Sequence, residues 1–182
     1  QIKIHDSLTE SYVGIRDVEK ANHHQSFQVF ISKKYFGIEN PQVDESLNKL
    51  ARWYKRTGQV YSEREIHKEL LSRQESRLDG DIASLVETYK NLSFSHRREG
   101  MDLFQSVNPL KDAIEVIELM ESPDLNLKFE VLLDLGDTYI SFGRIQSARK
   151  AYLECWMLIN EDQTMRSTIE DRFSSPVRVR NI

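Results

Sequence analysis

LLDLGDTYISFGRIQSARKAYLECWMLIN, residues 132–160, is the stretch whose reading decides the fold. Leu132 is followed after two residues by Leu135-Gly136, and after two more by Tyr139. Gly143, Ala148, Tyr152 and Cys155 come next. Apolar positions recur at helical spacing on both sides of Gly143, which predicts two helices over about 127–142 and 145–159. Gly143 is the expected stop between them, because glycine tolerates the left-handed conformation that ends a helix. Gly136 and Ala148 are small, as two closely crossing helices require. Tyr139 and Tyr152 then fill the space around that contact.

This order of residues resembles the tetratricopeptide (TPR) repeat, with a large residue, Leu-Gly, Tyr, Ala and an aromatic in register. Asn160 stands where that pattern has Pro. Two partial copies lie upstream. Leu47, Leu50-Ala51, Tyr54 and Gly58 repeat the first helix, with Glu63 where its partner should be small. Ile82, Leu85-Val86 and Tyr89 form another first helix, and a longer turn brings Gly100, Phe104 and Val107 into the partner positions. An irregular helical bundle is the alternative for these two copies, since both follow the same packing rules.

Outside the repeat, helices are predicted near 8–20, 25–36, 42–57, 61–75, 80–94, 97–107 and 110–120, with a short one near 163–173. Breaks fall at Gly37, Gly58, Asp79-Gly80, Asn108-Pro109 and Ser122-Pro123. The expected fold is all-α, with antiparallel hairpins stacked as a right-handed TPR-like superhelix. One domain over 1–172 would hold hairpins near 8–36, 42–75, 80–107 and 127–159 plus the extra helix 110–120. Residues 173–182 would form an extended tail.

The run Tyr35-Phe36-Gly37-Ile38-Glu39-Asn40-Pro41-Gln42-Val43 leads into Leu47, Leu50-Ala51 and Tyr54. It resembles the kinesin-light-chain style of TPR, with Asn40 where that style has His. The last third is similar to TPR proteins of the gammaproteobacterial cell envelope. The residues that carry this are Leu133-Asp134-Leu135-Gly136-Asp137-Thr138-Tyr139, Ala148, Ala151-Tyr152, Cys155-Trp156-Met157-Leu158, Phe173 and Pro176-Val177. That resemblance implies an exported bacterial scaffold, periplasmic or envelope-bound, with the cytoplasm as the alternative. It implies no activity.

Composition agrees with a helical scaffold. Among 182 residues, 39% are hydrophobic and 30% charged, with only 7 Gly and 4 Pro to interrupt helices. A formal net charge of −4 does not suggest a nucleic-acid binder. No apolar run approaches the ~20 residues of a membrane-spanning helix. The start, Gln1-Ile2-Lys3-Ile4, reads as that of a mature or trimmed chain.

Chemistry is sparse. His23-His24 are adjacent, so on a helix they diverge by about 100° and chelate one metal poorly. His5, His67 and His96 stand alone. Cys155, the one cysteine, occupies a small-apolar slot and reads as a packed, inert thiol. Glu63, Glu65 and Glu69 with Arg64 and Lys68 read as a solvated helix face. No phosphate loop or nucleophile elbow occurs, so no enzyme, metal or cofactor is expected. A helical hydrolase or metalloprotein would require bound metal.

The function expected is to hold a protein or peptide partner. First helices of stacked hairpins line a concave groove, and their exposed positions include Asn48, Arg52, Lys55 and Arg56, then Glu87, Lys90 and Asn91, then Leu133, Asp137 and Ile140. Such a groove is basic at its start and mixed to apolar at its end, suiting an extended segment with acidic and apolar groups. The plainer reading is a solvated helix face. A third reading is self-association, with Phe27, Phe30 and Ile31 at an uncapped end stacking on another copy.

Overall fold

In the computed structural model, residues 11–12, 17–77 and 81–161 are described, with side chains through Leu158. Among these residues the fold is all-α, with no strand. The chain divides into two compact units, Gln1–Met101 and Asp102–Ile182. The expected short helix near 163–173 and the tail 173–182 lie outside the described residues, as does most of 8–16.

The first unit contains α1 (Val18–Phe36), α2 (Pro41–Thr57), α3 (Val60–Glu75) and α4 (Ile82–Glu99). Each packs on its neighbour in sequence, as short connections demand. Helix α1 starts earlier than the expected 25–36. Asp17 accepts a hydrogen bond from the Lys20 backbone N–H at 3.1 Å and caps it, and the polar run Asn22–Gln25 continues the helix. Helix α2 opens with Asn40 as cap and Pro41 in the first turn, where a missing N–H costs nothing. Ala21, Val29, Val43, Leu47, Leu50, Trp53 and Leu70 close the core, with Tyr54 and Ile66 packed against it. The Trp53 indole N–H donates to Asn22 Oδ1 at 2.5 Å, tying α2 to α1.

Two expectations about the stretch 80–120 are corrected. Gly100 is not a small residue inside a partner helix. It has φ +77 and ends α4, its N–H donating to the Arg97 carbonyl at 3.1 Å while Met101 N–H reaches His96. The predicted helices 97–107 and 110–120 are instead one helix, α5 (Leu103–Glu118), which runs through Pro109. A mid-helix proline costs about 3 kcal/mol. The face carrying Ser106, Leu110, Ala113 and Ile117 is almost wholly buried. Burial at about 1.5–3 kcal/mol per large aliphatic side chain outweighs the lost hydrogen bond.

The second unit adds α6 (Leu125–Ser141) and α7 (Ile145–Glu161), with α6 packed against both α5 and α7. Its decisive hairpin is built as its sequence requires. A Cβ placed on Gly136 would lie 2.3 Å from Tyr152 Cε1, so the tyrosine ring occupies the space a side chain would need. Ala148 is buried, and Gly143 at φ +68 turns the chain, with Arg144 N–H bonded to the Tyr139 carbonyl at 2.8 Å.

Candidate functional site

In the first unit, α2 and α4 flank a groove of about 760 Å³ whose floor is α3. From α2 come Asp44, Glu45, Asn48, Arg52 and Lys55. From α3 come His67 and Gln74, just past its end Arg77, and from α4 Ser84, Glu87, Thr88 and Asn91. The exposed first-helix positions read from sequence thus converge for Asn48, Arg52, Lys55, Glu87 and Asn91. Arg56 and Lys90 do not line it. Arg56 lies over the Trp53 ring at 5.9 Å, and Lys90 pairs with Glu87 at 3.2 Å.

The carboxylates of the groove are all engaged. Asp44 accepts from Arg73 Nε at 2.7 Å and from Arg77. Arg73 also donates to the carbonyls of Ile38 and, at 3.3 Å, Asn40, which clamps the turn before α2 onto α3. Glu45 pairs with Lys49 at 3.2 Å, Glu87 with Lys90, and Asp81 caps α4 through Ala83 N–H. The cations are not so matched. Arg52 has no ion pair or hydrogen bond among the described residues. The Lys55 ammonium sits 4.8 Å from the Phe94 ring centroid, with Arg97 and Arg98 over the same ring at 5.5 and 5.7 Å. These contacts concentrate positive charge at one end of the groove, and neither Arg52 nor Lys55 makes a salt bridge among the described residues.

The floor corrects the expectation of a solvated face at 63–69. Glu63 is fully buried and Arg64 nearly so, while Glu65 and Lys68 stay exposed. Glu63 Oε2 accepts from Arg98 at 2.8 Å, and Arg64 pairs with Glu99 and Glu65. Burial raises the Glu63 pKa, and the positive charges of Arg98 and Lys55 oppose that rise. His67 Nε2 faces Glu63 Oε1 at 4.0 Å. Burial, reinforced by the nearby Lys55 charge, pulls the His67 pKa down to about 4, so the ring is neutral at pH 7. Its Nδ1 and the Gln74 Oε1 have no hydrogen-bond partner among the described residues. A buried polar atom left so costs about 1–3 kcal/mol.

His67 and Gln74 were not among the sequence-derived binding positions. The signal was present but disguised. Glu63, His67, Leu70 and Gln74 follow the i, i+4, i+7, i+11 spacing of a buried stripe, and all four are buried. Three of them are polar, so a hydropathy reading passes over the stripe.

The remaining candidates belong to the second unit. Leu133, expected on an exposed face, is buried, because α6 is covered by helices on two sides and only a narrow strip stays open. Asp137 accepts from the Tyr152 hydroxyl at 2.8 Å, and Ile140 is 40% exposed. Cys155 is buried with its Sγ 3.9 Å from the Phe129 carbonyl, and burial pushes its pKa up to about 12. His23 and His24 join Tyr12, Phe27 and Phe30 in a ladder of ring contacts at 5.3–6.2 Å. Among the described residues no group of three or more His, Cys, Asp or Glu is placed to hold a metal ion. No helix among them is long and apolar enough to cross a membrane.

No protein-family model matches the chain, and no curated protein matches it. Solved structures do. BtubC (BKLC) from P. vanneervenii superposes with a TM-score of 0.66 at 21% identity, covering 88% of this chain and 63% of that one. This chain therefore spans less than two thirds of that protein's length. Nearly identical TPR-like repeats of a kinesin-light-chain-type protein from Podosopora anserina give TM-scores of 0.70 and 0.69 in two crystal structures, both at 19% identity. Those matches cover 90% and 88% of this chain and 76% and 75% of the other. The structural neighbours are kinesin-light-chain-like TPR repeat proteins, and at this identity they establish the fold alone.

Proposed function

We propose that the chain is a non-catalytic scaffold and that the groove of its first unit holds an extended acidic segment of a partner protein. The observation that carries this is electrostatic. Every carboxylate lining the groove is engaged, whereas Arg52 and Lys55 make no salt bridge among the described residues, Lys55 reaching only the field of the buried Glu63. An incoming Asp or Glu supplies the missing partners, and complementary charge steers the encounter and sets register. TPR-like helical arrays are interaction folds, which agrees with this role. The candidate reactive groups support it: Cys155 is a buried thiol, and His67 is a neutral, buried ring beside no nucleophile.

The test uses the full chain and fluorescein-labelled peptides of matched length, one rich in Glu and one with Gln in its place. The Glu peptide should bind at least tenfold tighter at low salt, with the difference shrinking as salt rises. Arg52→Glu plus Lys55→Glu should remove that preference. Equal binding of the two peptides to the native chain sinks the proposal.

A second reading, self-association through α1, is favoured by Phe27 and Phe30, which are 37% and 57% exposed. Ile31, expected to share that face, is buried. Light scattering that finds only monomer at high concentration would dispose of it.

A further inference from the structure

The groove floor carries information beyond charge. His67 and Gln74 lie seven residues apart on α3, on one side of the helix and about 10 Å apart along its axis. Both side chains are more than nine-tenths buried, and both line the groove. Each brings one polar atom with no partner among the described residues, His67 Nδ1 and Gln74 Oε1.

The chemistry of those atoms follows from what their other ends do. His67 Nε2 lies 4.0 Å from Glu63 Oε1, beyond hydrogen-bond distance, so the neutral ring offers its unpartnered Nδ1 as a donor or an acceptor. The low pKa keeps the ring in this neutral form at physiological pH. The Gln74 amide nitrogen already donates to Ser84 Oγ at 2.9 Å, so its carbonyl oxygen is the atom left over. The floor therefore presents a carbonyl acceptor and an imidazole nitrogen, while the basic end presents donors from Arg52 and Lys55.

We infer that His67 and Gln74 are specificity residues that hydrogen-bond to polar side chains of the bound segment, so that the groove selects acidic segments bearing hydroxyl or carboxamide side chains. This rests on the acidic-segment reading of the groove. A span of about 10 Å is three residues of extended chain, so one segment reaches both atoms while its carboxylates meet Arg52 and Lys55. Asn48 and Asn91, half-buried on the facing walls, stand beside this path. A segment carrying Val or Leu at those places would seal two buried polar atoms without partners, and a site built to hydrogen-bond rejects such an analogue strongly. A nucleic-acid strand, whose phosphates are acceptors, fits the basic end but not the Gln74 carbonyl.

The experiment is a positional array of short acetylated peptides with two fixed glutamates around three variable positions, bound to the full chain and read by fluorescence anisotropy. Thr should be preferred over Val, and Asn over Leu, by about tenfold at one or two positions, the worth of one well-made hydrogen bond. In His67→Leu and in Gln74→Met that preference should fall below twofold while the requirement for glutamate persists. A purely structural role would weaken all peptides alike and leave the Thr/Val ratio unchanged. Gln74→Met keeps the side-chain length, so it decides the matter if His67→Leu does not fold. A ratio that survives the substitutions, or native chain that selects glutamate without any donor preference, overturns this inference and leaves the acidic-segment reading intact. Native chain that does not select glutamate overturns both.

Discussion

Replacing Gly136 by Ala tests the packing of the decisive hairpin, because its effect should reverse sign with the identity of residue 152. An added Cβ would lie 2.3, 2.6 and 2.8 Å from three atoms of the Tyr152 ring. Carbon atoms in contact sit near ~3.5–4.0 Å, so the ring must retreat by more than about 1 Å. Its hydroxyl then leaves Asp137, 2.8 Å away, and a hydrogen bond to a carboxylate is worth about 1.5–3 kcal/mol. Overpacking adds about 1–3 kcal/mol. Against these, Ala is better than Gly inside a helix by about 1 kcal/mol. The net expectation is a loss of about 3 kcal/mol, measured by urea unfolding followed by far-UV circular dichroism. With Tyr152→Ala in place the clash and the hydrogen bond are gone, and Gly136→Ala should stabilise by about 1 kcal/mol. Such a double-mutant cycle isolates the contact. A neutral Gly136→Ala in the native background, or an equal penalty in both, would refute the reasoning.

Two further expectations concern the first unit. Asp44→Ala leaves the buried Arg73 guanidinium without its carboxylate, which should cost about 3 kcal/mol and lower Tm by about 9 °C in a thermal melt. An unchanged melt would mean that the Arg73 contacts to the Ile38 and Asn40 carbonyls suffice on their own. The pH dependence follows from His67. Its pKa falls from 6.5 unfolded to about 4 folded, so between those values the unfolded chain binds a proton that the folded chain refuses. Its contribution is full above pH 6.5 and is lost as pH falls through the window. Glu63, with a raised pKa, works in the opposite sense, its contribution being lost as pH rises from the unfolded value through the folded one. Because Glu63 remains in both proteins, comparison with His67→Leu isolates the histidine. The drop in unfolding free energy from pH 7 to pH 5 should be about 2 kcal/mol larger in the native chain. Equal drops would show that His67 is not held neutral by burial.

Much of the fold is legible because helices are local objects. Gly58 and Gly143 mark helix ends whose terminal carbonyls need partners within a turn, whereas the stop at Gly100 and the starts at Asp17 and Asp102 differ from the boundaries that periodicity suggests. The Gly136–Tyr152 contact is also legible, since two helices joined by a tight turn meet at fixed offsets. Pro109 shows where local reading fails. Its penalty is visible in sequence, but the burial of Ser106, Leu110, Ala113 and Ile117 that overrides it depends on how α5 packs against α6.

The groove divides in the same way. Asn48, Arg52, Lys55, Glu87 and Asn91 were readable as an exposed face from repeat offsets alone, because a helix period fixes which side chains share a side. Whether those side chains are free to meet a partner is a property of neighbours. Glu45–Lys49 and Glu87–Lys90 are local pairs at i,i+4 and i,i+3, but only the tertiary structure pairs Asp44 with Arg73 and Arg77 while Arg52 and Lys55 make no salt bridge among the described residues. It alone buries Leu133 and draws Glu63, His67 and Gln74 inward. What could be read from the residues alone is the all-helical fold, the stops at Gly58 and Gly143 and the close crossing at Gly136, each set within a turn or a hairpin. Burial and charge pairing were decided by the packing of helices on one another, because desolvation and Coulomb energy depend on distance in space rather than along the chain.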